Sequence, residues 1–165
     1  MSTKEIYFAG GCFWGVEGYF SRIEGVLSAV SGYANGQTEN PSYEDVVYRN
    51  TGHAEAVKVM YAPEQVSLTT LLLHFFRIIN PTTLNQQGND VGSQYRSAVY
   101  FVDAEDEAVI AEALAQLQQQ YRQPLVVENA ALQQFFKAEE YHQEYLRKNP
   151  GGYCHIDLSL ANKPL

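Results

Sequence analysis

Residues 6–14 read IYFAGGCFW, and the pattern of the chain changes within this stretch. Residues 6–9 are apolar or aromatic and predict a short strand that stops at the two following glycines. Residues 14–23 carry apolar side chains at helical spacing, which predicts a helix. The order of strand, glycine turn, cysteine and helix therefore places Cys12 at the first turn of that helix.

The rest of the chain interleaves strand and helix patterns. Further strands are predicted over residues 26–33, 53–61, 97–102 and 125–127, and further helices over residues 42–48, 68–79, 138–148 and a segment that Asp103 caps and that reaches Tyr121. Such interleaving favours an α+β fold, a two-layer α/β sandwich, over a helical bundle or an all-β fold. The 165 residues contain no repeat and no linker, so a single domain is predicted over 1–165.

Charge and hydropathy narrow the classes of partner. The formal net charge of −8 argues against nucleic acid, because affinity for nucleic acid comes largely from neutralising phosphate charge. Residues 1–20 lack the pattern of a signal peptide, and the longest apolar cluster, residues 71–76, is too short to span a bilayer. We therefore expect a cytoplasmic protein with no membrane partner.

The two cysteines, Cys12 and Cys154, lie near opposite ends of the chain. A disulfide framework is not favoured, because a domain of this size would not need a lone bridge. A zinc site is not favoured either, because zinc ligands normally occur in pairs at short spacing. Redox or nucleophilic use remains, beside the alternative that each thiol is a small buried apolar group. The start of a helix favours thiolate over thiol, which makes Cys12 a candidate nucleophile.

Three side chains could assist this thiol. Phe13 and Trp14 either form a pocket for an apolar substrate group or fill the core. Glu55 lies in the alternating stretch 53–61, on the face that carries valines. In an apolar setting a carboxyl group has a raised pKa and can donate a proton near neutral pH, whereas at a solvated strand end it cannot.

Two other functions fit the same residues. A cysteine-dependent acyl-transfer enzyme would pair Cys12 with His53 or His142 and a carboxylate such as Glu55. A peptide-binding module would carry the thiol without using it. Replacing Cys154 should leave multiple turnover intact in the first case, and replacing Cys12 should be harmless in the second.

Five segments, taken in order, resemble peptide methionine sulfoxide reductase A. They are residues 10–14, 52–55, 87–97, 141–143 and 149–154, and the resemblance runs from about residue 6 to residue 154. It implies a ferredoxin-like core with added elements and an irregular C-terminal tail. The tail, residues 149–165, would be mobile and would carry the second thiol.

The resemblance also implies a reaction. The substrate would be the S epimer of methionine sulfoxide, free or within an oxidised protein, since each epimer has its own enzyme type. Cys12 would attack the sulfoxide sulfur while Glu55 protonates the departing oxygen. The remaining site residues would be the hydroxyl donors Tyr43 and Tyr95, the methyl-binding side chains Phe13 and Trp14, and Asp90, which maps near the same site.

The second half of the cycle would use Cys154. Attack leaves a sulfenic acid on Cys12, and Cys154 matches the position that condenses with it to a disulfide. Thioredoxin would then reduce the disulfide, with no cofactor and no metal. No cysteine follows Cys154, which implies a cycle of two thiols. We expect a monomer in which His142 has a structural role.

Overall fold

The structure is a computed structural model that describes residues 3–49, 51–88, 90–149, 152 and 156–165. Cys154, the predicted second thiol, lies outside the described residues. The strands are β1 Lys4–Gly10, β2 Val26–Ala34, β3 Ala54–Tyr61, β4 Gln86–Gln87, β5 Asp90–Val91, β6 Ser97–Phe101, β7 Glu128–Ala131 and β8 Phe135–Lys137. The helices are α1 Phe13–Phe20, α2 Tyr43–Tyr48, α3 Leu68–Ile78, α4 Asp106–Gln118 and α5 Tyr145–Lys148, with 3-10 turns at Ser93–Tyr95, Glu140–His142 and Leu158–Asn162.

A six-stranded sheet organises this described part of the chain. Its strand order is β7-β6-β1-β3-β2-β8, while β4 and β5 form a separate hairpin. Strands β6 and β7 are parallel, and every other neighbouring pair in the sheet is antiparallel. The central position of β1 and β3 buries most of their side chains, including the first residues of β3, where Glu55 lies.

Helices α1 and α3 pack on one face of the sheet. The ring of Phe8 on β1 stacks on Phe20 of α1 at 4.6 Å and on Phe75 of α3 at 4.8 Å between centroids. The opposite face is lined by small side chains such as Ala9 and Ala56, against which Phe135 packs. The predicted mixed α/β architecture is therefore confirmed.

The two glycines at the end of β1, Gly10 and Gly11, are required by the packing and by the turn that follows. A Cβ atom on Gly10 would lie 2.8 Å from Cγ2 of Ile79 and 2.9 Å from Cε1 of Phe75, so any side chain would push β1 away from α3. Gly11 has a φ of 89°, which glycine adopts without strain. These two residues turn the chain into Cys12 and α1 over a short distance.

The predicted helix over residues 138–148 is wrong. The chain forms the 3-10 turn Glu140–His142, takes a left-handed conformation at Glu144 (φ 52°), and only then forms α5. Buried side chains hold it there: Glu17 accepts a hydrogen bond from the Glu144 N–H at 2.8 Å, and the Gln143 amide bonds both backbone groups of Ser31 at 3.0 and 2.8 Å. These tertiary bonds outweigh local helix propensity.

Two local predictions before that segment are also wrong, and one is confirmed. The strand predicted over 125–127 lies instead at β7, because the Leu125 N–H bonds the side chain of Gln118. The predicted cap Asp103 pairs with Lys4 at 3.4 Å, and α4 begins three residues later. The cap at α3 is as predicted, since Ser67 Oγ accepts from a backbone N–H three residues along.

The last ten residues pack on the helical face. Ile156 belongs to the core, and the 3-10 turn Leu158–Asn162 lies beside α1. Arg77 of α3 donates hydrogen bonds to the carbonyl groups of Leu160 at 2.7 Å and Lys163 at 3.1 Å. Within the residues that the structure describes, no helix has the length and apolarity needed to cross a membrane.

Candidate active site

Cys12 lies at the junction of β1 and α1. It is the N-cap residue of α1, with extended rather than helical backbone angles, and 9% of its surface is exposed. The positive end of the helix dipole and the N–H groups of the first turn favour an anionic sulfur at this position. The prediction that places Cys12 at a helix start is confirmed.

Glu55 is the carboxyl group beside this turn. Its side chain is 1% exposed, and Oε1 accepts a hydrogen bond from the Phe13 N–H at 3.2 Å, one residue from Cys12. Burial raises the pKa of Glu55 to about 8, the charge of Asp90 adds to the rise, and the bond from Phe13 opposes it. The carboxyl group is therefore mostly protonated at pH 7.

The position of its proton follows from the hydrogen bonds. Oε1 of Glu55 is occupied as an acceptor, while Oε2 is buried and has no hydrogen-bond partner among the described residues. A neutral carboxylic acid bears its proton on one oxygen, and an oxygen that already accepts an N–H is the poorer place for it. We therefore assign the proton of the neutral acid to Oε2, which no described group contacts by a hydrogen bond.

Two phenols share this site. Tyr43 is the first residue of α2, and Tyr95 ends the 3-10 turn Ser93–Tyr95. Their hydroxyl groups interact, and burial, reinforced by the charge of Glu55, raises the pKa of Tyr43 to about 12 and that of Tyr95 above its ordinary range. The charge on Cys12 also raises the pKa of both phenols, which therefore remain protonated donors near the thiol.

The scaffold of Tyr43 includes a residue that the sequence did not suggest. Glu139 accepts from the Tyr43 N–H at 2.9 Å through Oε2 and from the Tyr33 hydroxyl at 2.8 Å through Oε1. It thereby ties α2 to β2, whose Tyr33 is directly opposite Glu55 in the sheet. Glu139 and Tyr43 are 96 positions apart, and no pattern in the sequence links them.

Asp90 and the aromatic pair complete the set of predicted residues. Asp90, on β5, acts on the pKa values of both Glu55 and Tyr95 through its charge. Phe13 is fully buried in the core, whereas Trp14 is half-buried, and its indole stacks on Tyr145 with a centroid distance of 3.7 Å. The structure thus brings seven of the eight predicted site residues together, and the eighth is Cys154.

The two histidines of the acyl-transfer alternative have other bonds. His53 Nδ1 lies 2.8 Å from the hydroxyl oxygen of Thr51. His142 Nδ1 accepts the indole N–H of Trp14 at 3.0 Å, so the neutral ring bears its proton on Nε2 and has no lone pair left to accept a proton from a thiol. His142 is therefore not placed to act as a base. No cluster of metal-ligating side chains occurs among the residues that the structure describes.

The described residues form an α/β sandwich that places a thiol beside a buried carboxyl group and two phenols, an arrangement that suits an oxidoreductase acting through the thiol. The family model described as "Peptide methionine sulfoxide reductase" matches residues 4–165. The chain belongs to this family.

Individual relatives agree with that assignment. "Peptide methionine sulfoxide reductase MsrA" of Clostridium botulinum (strain Okra / Type B1) is 56% identical over 155 residues, which cover 94% of this chain and 99% of that protein. The structure is similar to reduced Mxr1 from Saccharomyces cerevisiae, with a TM-score of 0.89 and 36% identity over 94% of this chain and 91% of the other. Mxr1 in complex with Trx2 matches with a TM-score of 0.63 and 28% identity over 87% and 84% of the two chains.

Proposed function

We propose that this chain reduces the S epimer of methionine sulfoxide, free or within a protein, to methionine. The observation that carries the proposal is the buried carboxyl group of Glu55 beside Cys12, whose Oε1 accepts from the Phe13 N–H and whose Oε2 has no partner among the described residues. Burial raises its pKa to about 8, which keeps it available as a proton donor. Sulfoxide reduction by a thiol needs both parts, because the sulfur must be attacked while the oxygen gains a proton.

The first step transfers the sulfoxide oxygen. The Cys12 sulfur attacks the substrate sulfur, Glu55 protonates the oxygen, and the phenols of Tyr43 and Tyr95 donate hydrogen bonds as negative charge develops on it. The transient bond between the two sulfurs and the S–O bond of the substrate then break as the protonated oxygen passes to Cys12, so that sulfoxide and thiol become methionine and a sulfenic acid. Trp14, backed by the buried Phe13, contacts the substrate methyl group.

The second step regenerates the thiol. The Cys154 thiol condenses with the Cys12 sulfenic acid, which forms a disulfide and releases water. A dithiol reductant then reduces that disulfide by exchange, and we propose thioredoxin in this role. The similarity to Mxr1, which has been solved in complex with Trx2, supports this partner. Asp90 orders the donors around the oxygen through its charge.

The organisation of the chain is part of the same proposal. The order β6-β1-β3-β2, with α1 after β1 and α3 after β3, supports a ferredoxin-like core. The hydrophobic core extends from Ile6 to Ile156, which supports a single domain. Residues 149–165, of which the last ten pack against the core, form the segment that brings Cys154 to Cys12. We propose a monomer that works in the reducing cytoplasm, where thiol cycles of this kind are sustained.

Intact-mass spectrometry of the reduced protein after mixing with methionine-S-sulfoxide tests this cycle. The parent chain should lose about 2 Da as the disulfide forms, and Cys154→Ser should gain about 16 Da as a sulfenic acid on Cys12. With thioredoxin as the reductant, Cys154→Ser should complete one turnover and stop.

Cys12→Ser is the matched control and should show no change in mass. The R epimer should leave all three proteins unchanged if the site is specific for the S epimer. An unchanged parent mass with the S epimer would refute the proposed reaction. Sustained turnover by Cys154→Ser with thioredoxin would refute the two-thiol cycle while leaving the first step intact.

A further inference from the structure

The indole of Trp14 is held by the chain segment that follows β8. Its Nε1–H donates to Nδ1 of His142 at 3.0 Å, and its face stacks on Tyr145 at 3.7 Å with an interplanar angle of 7°. Trp14 is half-buried, so one part of the ring is accessible while these two contacts set its orientation. It is also the only tryptophan of the chain.

The bond from Trp14 selects one form of His142. An indole N–H can only donate, so Nδ1 must be an unprotonated acceptor and the neutral imidazole must hold its proton on Nε2. His142 is 2% exposed, and its Nε2 has no hydrogen-bond partner among the described residues. Nothing described at Nε2 therefore competes with Trp14 in the choice of tautomer.

Resting on the proposed function, in which Trp14 contacts the methyl group of the substrate, we propose that His142 is a positioning residue for substrate binding. Neutral His142 fixes the plane of the Trp14 indole through the Nε1–H···Nδ1 bond, and that plane forms one wall of the methyl site. His142 acts through Trp14 and touches neither the thiol nor the sulfoxide oxygen in this role.

Protonation of His142 would undo this arrangement. When Nδ1 is protonated it becomes a hydrogen-bond donor itself. The Trp14 N–H then has no acceptor there, so the hydrogen bond is lost. The titratable groups around the ring are Tyr43 from α2, with centroids 4.6 Å apart, the adjacent Tyr141 at 4.3 Å, and the carboxylate of Glu139. Phe13 and Trp14 from α1 are uncharged.

The direction of the pH dependence follows from burial. Desolvation lowers the pKa of His142 below its ordinary value of 6.5, and the charge of Glu139 only partly opposes this effect. The ring is therefore neutral at pH 7, and the methyl site should loosen only as the pH falls below that lowered pKa. KM should rise on acidification, with a smaller effect on kcat.

Two substitutions separate the acceptor from the ring. His142→Phe keeps a buried ring without an acceptor, and KM for methionine sulfoxide should rise about fivefold, as expected for the loss of one neutral hydrogen bond, with kcat within about twofold. His142→Asn offers its Oδ1 near the position of Nδ1 and should restore most of the affinity. Its KM should also stay flat where that of the wild type rises with acid.

His74 provides a matched control. It is also a buried histidine beside α1, where its Nδ1 lies 2.8 Å from the Tyr19 hydroxyl oxygen. His74→Phe should lower stability but leave KM and its pH dependence unchanged. An unchanged KM in His142→Phe, or an equal rise in His74→Phe, would overturn the proposal.

Fluorescence gives a reading that needs no substrate, because Trp14 is the sole tryptophan. Its emission should titrate with a midpoint below pH 6.5 in the wild type and in His74→Phe, but not in His142→Phe. Constant circular dichroism over the same pH range would show that the protein stays folded. Emission that titrates equally in His142→Phe, or not at all in the wild type, would contradict the coupling. If the titration holds but the wild type does not reduce methionine sulfoxide, the proposed function fails and the bond between Trp14 and His142 stands.

Discussion

Replacing Glu55 by glutamine should make the protein more stable at high pH while removing most of its activity. Glutamine has the size of the neutral acid, keeps an oxygen to accept from the Phe13 N–H, and cannot ionise. Wild-type Glu55 must ionise in a buried site above its pKa of about 8, whereas in the unfolded chain it ionises near its ordinary value of 4.5.

The magnitude follows from these two values. Because the folded state binds the proton more tightly, the free energy of unfolding falls as the pH rises through this interval and levels off above it. A rise in pKa from 4.5 to about 8 corresponds to a total on the order of 5 kcal/mol, of which about 4 kcal/mol is lost between pH 5 and pH 9. Glu55→Gln should therefore gain about 4 kcal/mol relative to the wild type over that range.

Urea unfolding at pH 5, 7 and 9 measures this difference directly. Glu107→Gln, at an exposed position on α4, is the matched control and should follow the wild-type profile. In single turnovers at pH 7, Glu55→Gln should be slower by about 10²- to 10⁴-fold, the usual contribution of a general acid. Parallel stability profiles for Glu55→Gln and the wild type would refute the assignment of a neutral, buried carboxyl group.

Four further substitutions probe the rest of the site and its support. Tyr43→Phe and Tyr95→Phe should each lower kcat/KM by about 10- to 100-fold in stopped-flow assays, since each removes one hydrogen-bond donor to the developing charge. Full activity in either variant would show that the tyrosine does not stabilise the transition state. Ser67→Ala should cost about 1 kcal/mol in urea unfolding through loss of the bond to the Thr70 N–H, with unchanged kinetics. Gly10→Ala should cost about 1–3 kcal/mol in the same assay, because its Cβ meets α3, and wild-type stability would contradict that contact.

Local patterns predicted the part of the fold on which the site is built. Residues 6–14 predict β1, the glycine turn and α1 because strand alternation, glycine freedom and helical spacing act over a few neighbours. Alternation over residues 53–61 placed Glu55 on an apolar face, and Glu55 is 1% exposed. In both cases the deciding interactions join residues that are close together in the sequence.

Predictions failed where buried side chains from distant segments intervene. The helix expected over residues 138–148 is interrupted because Glu17 and the Gln143 side chain hold the chain against β2. Glu139 could not be linked to Tyr43 for the same reason, since their hydrogen bond joins segments 96 residues apart. Propensity averages over neighbours in sequence, whereas a buried hydrogen bond depends on which groups lose water together.

The sequence by itself therefore determined the thiol at a helix start, the strand that buries Glu55, and the motifs that mark the family. Only the tertiary structure decided that the Phe13 N–H binds one oxygen of Glu55 and that the other is buried without a partner among the described residues. It also decided that His142 accepts from Trp14. The physical reason is that protonation and tautomer depend on desolvation and on hydrogen-bond partners. Those are properties of the packed site, and no sequence pattern encodes them.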